Sequence, residues 1–160
     1  MIEPFEVLLR AAVHEVFSTM VGLALEPHPA AACTFNGQPQ IASSIGFTGQ
    51  LTGVVYLYTT IPFAHRITRH LLRLPDPEPA TEEMVNDVLG ELANMVVGHF
   101  KSRLTDRGIP CVMTIPSIVR GSHFGIEPVS QTAVDRLGFH HASHYLVVEA
   151  LLRDSRPAAA

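Results

Sequence analysis

Lysine is nearly absent: Lys101 is the single one among 11 basic side chains, and 15 acidic ones leave a formal charge of −4. No basic stripe is present, which excludes the electrostatic footprint of a nucleic-acid binder. Charge of either sign is scarce, at 16% of residues against roughly 25% in an ordinary soluble domain. Only two cysteines occur, Cys33 and Cys111, without the spacing of a metal or redox pair. Reduced thiols in a cytoplasm are therefore expected. Residues 27–65 contain no Asp, Glu, Lys or Arg, but Gly, Pro, Ser, Thr, Asn and Gln interrupt them. No run approaches the roughly 18 apolar residues of a membrane-spanning helix. Glu3, Glu6, Arg10, His14 and Glu15 likewise deny the N-terminal segment the uncharged core of a secretory leader.

What is there is apolar. At 160 residues, 47% apolar and with a mean hydropathy of +0.23, the chain can build the core of one domain, and disorder is excluded for most of it. Residues 1–154 read as that single domain and residues 155–160 as a loose tail. So little charge also implies that some apolar surface is covered by a partner or a second copy.

Apolar residues recur at three- and four-residue steps from Phe5 to Leu23, which predicts a helix over 3–25, stopped by Glu26-Pro27-His28-Pro29. Residues 40–48 and 51–60 are rich in β-branched and aromatic residues and flank a hairpin turn at Thr48-Gly49-Gln50. A shorter helix is expected over 61–74, with Pro62 in its first turn, then a stiff spacer with prolines at 75, 77 and 79. Thr81 is the N-cap of a long helix running to about Thr105, with Glu82 and Glu83 at the positive end of its dipole. Strands are predicted at 111–119, 124–134 and 145–152. The expected architecture is α/β: a mainly antiparallel sheet of about six strands packed with two long helices and one shorter helix.

The long helix carries the chemistry. At about 100° per residue, with Asp87 at zero, Glu91 falls near 40°, Asn94 near −20° and Gly98 near 20°. Val85, Leu89, Leu92, Val96 and Phe100 occupy the opposite, core-facing side. Gly90 and Gly98 stand out, because a helix-interior glycine costs about 1 kcal/mol against alanine and signals close approach to the backbone. By itself the Glu-x-x-Asn spacing also fits an ordinary solvated face. A faint repeat links Glu15, Ser18 and Gly22 in the first helix to Glu91, Asn94 and Gly98 in the long one; duplication and coincidence both remain open.

Gly90-Glu91-Leu92-Ala93-Asn94-Met95 and Ile115-Pro116-Ser117-Ile118-Val119-Arg120-Gly121 resemble the CheX branch of the CheC/CheX/FliY chemotaxis phosphatases. Residues 45–55, from Ile45-Gly46-Phe47 to Val54-Val55, are similar to that family's hairpin. Motifs in family order run from the first helix to the last strand, and only 130–143 and the tail look idiosyncratic. The resemblance implies hydrolysis of the aspartyl phosphate of a CheY-like response regulator. It carries the acid and amide of the family signature onto Glu91 and Asn94 as catalytic residues, and Asp87, Gly98 and Gly90 onto the partner-binding surface. It implies a homodimer whose sheets join or exchange edge strands. No metal or cofactor of the chain's own is expected; the divalent metal, Mg, belongs to the receiver. Ser18 stands where a second signature would need an amide, so one active helix is expected.

Two other readings accompany this one. The same fold could serve as a non-catalytic docking module for a receiver domain or another signalling protein. A metal site among His123, His140, His141 and His144 is disfavoured, because adjacent residues on a strand point to opposite faces; these histidines read as surface loop residues. His99, near the core side of the long helix, reads as a structural histidine.

Overall fold

The computed structural model describes residues 4–129 and 132–156. Helix α1, Phe5–Val16, continues through a π-helical turn at Phe17–Val21 and ends at Gly22, whose φ of 77° supplies the left-handed cap. Strand β1 is Glu26–His28. The hairpin β2, Gln40–Gly49, and β3, Leu51–Thr60, follows as expected. Helix α2, Ile61–Leu72, is capped by the Thr60 hydroxyl, and helix α3, Glu82–Asp106, by the Thr81 hydroxyl, which accepts from the Met84 N–H at 3.2 Å. Strands β4, Cys111–Met113, β5, Ser117–Gly121, β6, Ala133–His141, and β7, His144–Asp154, complete the described chain.

The strands form one seven-stranded sheet in the order β1-β6-β7-β3-β2-β4, with β5 also on β2, and every pairing is antiparallel. Strand alternation divides its two faces. Ile41, Ile45, Phe47, Leu57, Leu137, Val148 and Leu152 meet the helices in the main core. Ala42, Tyr58 and Val147 point the other way, beneath Cys33, Phe35, Phe124 and Ile126 from two covering segments.

Four differences from the expected layout have physical causes. The predicted helix stop at Glu26–His28 is an edge strand paired with Gly138–His140, where Pro27 is tolerated because an edge leaves one side of the ladder unused. The strand expected over 111–119 is broken at Thr114-Ile115-Pro116. Phe47 pairs with Met113 and Ser44 with Ser117, so two residues of β2 oppose three, a bulge at which Pro116 has no N–H to offer. The Thr114 hydroxyl substitutes by accepting from the Gly46 N–H at 2.9 Å. The strand expected over 124–134 lies instead at Ala133–His141, because Phe124 and Ile126 cover the second face of the sheet. Finally, Ser155 and Arg156, assigned to the loose tail, are tied down by a Ser155 N–H to Gln50 carbonyl bond of 2.8 Å and an Arg156–Asp154 ion pair; residues 157–160 lie outside the described residues.

Candidate functional site on the long helix

Helix α3 buries Val85, Val88, Leu89, Leu92, Ala93, Val96, Val97, Phe100 and Leu104, so its rotation about its own axis is fixed by the core. The consequence is the expected stripe: Asp87 and Glu91 exposed, Asn94 and Gly98 half-buried. Among the described residues, the side chains of Asp87, Glu91 and Asn94 make no hydrogen bond or ion pair. An acid and an amide one turn apart thus stand ready for a group outside this chain. At Gly98 an added Cβ would meet nothing within 4 Å, so nothing inside the protein requires the glycine.

Gly90 is different. It is buried, and a Cβ there would meet Pro116 at 3.5 Å, an ordinary contact. It packs beside Pro116 within the chain and also lines the depression that holds Glu91 and Asn94. The bulge explains the contact: displaced from the ladder, Pro116 leans on α3, while its neighbour Ile115 is left 84% exposed. Asn86, Asp87, Gly90, Glu91, Asn94, Pro116 and Ile118 line one shallow depression of about 350 Å³. The place of Pro116 and Ile118 beside Glu91 depends on the long-range pairing of β5 with β2, which local pattern does not carry.

Arg120 was also missed as a residue with a role. It donates from Nε and Nη2 to the Asn86 side-chain oxygen at 3.1 and 2.6 Å, and it lies 3.9 Å from Glu82. These contacts pin the start of α3 to β5. The signal available was one arginine in the motif and an acidic helix start; their proximity is tertiary.

The similarly spaced positions on α1 are in another state. Glu15 accepts from Arg103 at 2.8 Å and lies 3.5 Å from the His99 Nδ1. The Arg103 guanidinium, helped by His99, holds its carboxyl below the usual glutamate range. Ser18 donates back to the His14 carbonyl at 2.8 Å, as helix serines commonly do. His99 is accordingly a tie between α1 and α3. The histidines considered for a metal lie on strands, not loops, apart from His123: His140 packs on His28, and His141 and His144 stack on Phe63. Among the described residues no group of three or more His, Cys, Asp or Glu could hold a metal ion. No helix among them is long and apolar enough to cross a membrane.

Fold and helix together define a class: a domain with its helices on one face of an antiparallel sheet, one of them presenting an unpaired acid–amide stripe. The chain belongs to the CheX family, because the family model described as "Chemotaxis phosphatase CheX" matches residues 41–140. That match covers most of the described part of the segment judged idiosyncratic. Among solved structures, CheX from Vibrio vulnificus superposes with a TM-score of 0.80 at 24% identity, covering 94% of this chain and 97% of that one. CheX from Desulfovibrio desulfuricans gives 0.77 at 23%, covering 93% and 99%. The Borrelia burgdorferi CheX–CheY–BeF3–Mg2+ complex gives 0.71 at 16%, covering 94% and 98%. No curated protein matches the chain in sequence.

Proposed function

We propose that this protein hydrolyses the aspartyl phosphate of a CheY-like receiver domain, with α3 inserted into the receiver's phosphorylated pocket. One observation carries the reading: Glu91 and Asn94 are free of internal partners while the similarly spaced Glu15 and Ser18 are tied up within the chain. The CheX–CheY complex among the similar structures supports the choice of partner.

The chemistry suits the residue types. A receiver brings the divalent metal and a lysine that neutralise the phosphoryl oxygens, and what remains is to place a water in line with the scissile P–O bond. The carboxamide of Asn94 can accept from or donate to that water without bringing a further negative charge to the phosphoryl group. Glu91 pairs with the receiver's lysine, an interaction strengthened when docking excludes water. Asp87 and Gly98 shape the contact. A hundredfold acceleration corresponds to about 2.7 kcal/mol, within the range of positioning alone. We further read the molecule as a homodimer joined through sheet edges; Val112 on β4 and Val119 on β5 are exposed there, and light scattering of the purified protein tests it.

The catalytic test follows the lifetime of a labelled phosphorylated receiver. Asn94→Ala is expected to keep receiver binding while the stimulated loss of phosphate disappears; Glu91→Ala is expected to weaken both. Wild-type stimulation by Asn94→Ala would overturn the mechanism. Receiver binding without any stimulation by the wild-type protein would identify the chain as a docking module.

A further inference from the structure

The second face of the sheet, away from all three helices, holds an ionic cluster, buried at Glu149 and half-exposed at Arg136, that the phosphatase reading does not use. Four neighbouring strands supply it: Gln40 from β2, Tyr58 from β3, Glu149 from β7 and Arg136 from β6. The Glu149 side chain is 7% exposed. Its Oε2 accepts from the Tyr58 hydroxyl at 3.1 Å and lies 3.4 Å from Arg136 Nε. Arg136 turns its Nε and Nη2 edge on the same hydroxyl, at 3.1 and 2.8 Å. Burial and the neighbouring carboxylate push the Tyr58 phenol up to about 12, so the hydroxyl keeps its proton and remains a donor to Glu149.

These groups floor a cavity of about 450 Å³ walled by Phe35, Phe124, Ile126 and Pro128, within the size range of small-molecule sites. The pair is desolvated at its Glu149 end, where a carboxylate is costly to bury. Two of its atoms are moreover left over. Among the described residues Glu149 Oε1 and Arg136 Nη1 have no partner. Ser43 Oγ is the sealed, unpaired side-chain atom among the described residues, so Oε1 keeps some access to solvent beside the cavity that Glu149 lines.

The geometry points to a binding site for a planar, neutral heterocycle with a lactam edge, of which guanine is the type. Glu149 Oε1 would accept from its ring N–H and exocyclic amine, Arg136 Nη1 would donate to its carbonyl oxygen, and the aromatic walls would cover its faces. An anionic ligand is disfavoured, because Glu127 and Glu149 set two carboxylates against the one guanidinium of Arg136 in the lining. An adenine ring would set its N1 lone pair against the carboxylate and is rejected on that ground.

The test is independent of receiver chemistry. Guanosine and adenosine are titrated into the full chain by calorimetry, with saturation-transfer NMR to identify the bound face. Guanosine is expected to bind at least tenfold more tightly than adenosine. Glu149→Gln is expected to remove that preference, and Arg136→Met, at a half-exposed position, to weaken guanosine at least tenfold even if the first variant folds poorly. No guanosine binding, equal binding of the two nucleosides, or guanosine binding indifferent to both substitutions would each overturn the assignment.

Discussion

Gly98→Ala separates what the fold wants from what the partner wants. Gly98 lies within the final third of α3, half-buried, and a methyl group there would meet nothing within 4 Å. Its backbone φ is not positive, so alanine takes the same conformation without strain. Replacing a helix-interior glycine by alanine gains about 0.8–1.0 kcal/mol, since glycine loses the most backbone entropy on folding. For a domain of this size that is about 2–4 °C in melting temperature. The glycine is therefore a cost the fold does not require, and the receiver docking proposed for this face would account for it. The expected outcome is a higher melting temperature together with slower receiver dephosphorylation, at unchanged secondary structure by circular dichroism. A variant that melts higher and dephosphorylates at the wild-type rate would refute the docking role of Gly98. A melting temperature that falls would refute the structural premise.

Other perturbations follow from the packing and the charges. At Gly53 an added Cβ would overlap the Leu151 carbonyl and press on the Phe47 ring at 3.0 Å; Gly53→Ala should lower stability by about 1–3 kcal/mol in urea unfolding. Tyr58, pushed up to about 12 by burial and the neighbouring Glu149 carboxylate, should ionise well above the ordinary tyrosine range in a spectrophotometric titration. Because its folded pKa is the higher one, its contribution is whole below about pH 10 and is lost as pH climbs towards 12. Glu15 shifts the opposite way: its contribution is present above its ordinary range and is lost as pH falls through the folded value. Arg103→Met should return the Glu15 titration, followed by NMR, towards an ordinary glutamate.

The periodicity of α3 was enough to predict the orientation of the Glu91–Asn94 stripe, because a helix with one strongly apolar side can be buried only one way. The same logic located α1, α2, β2 and β3. It failed at Phe124 and Ile126, whose alternation imitates a strand although they cover the far side of the sheet, and at Thr114–Pro116, where alternation continues across a bulge. In both places the deciding interaction is with residues distant in sequence.

Residue type and local spacing alone determined which residues could present an acid and an amide to another protein. The tertiary structure decided which of the two acids is free: Glu15 is paired with Arg103 of the neighbouring helix, and Glu91 with nothing in the described chain. It also decided that Gly90 faces Pro116 and that Tyr58, Arg136 and Glu149 meet in one cavity. The physical reason is range. Helical periodicity acts over a few residues, whereas ion pairing and strand register join segments whose meeting depends on the collapse of the whole chain.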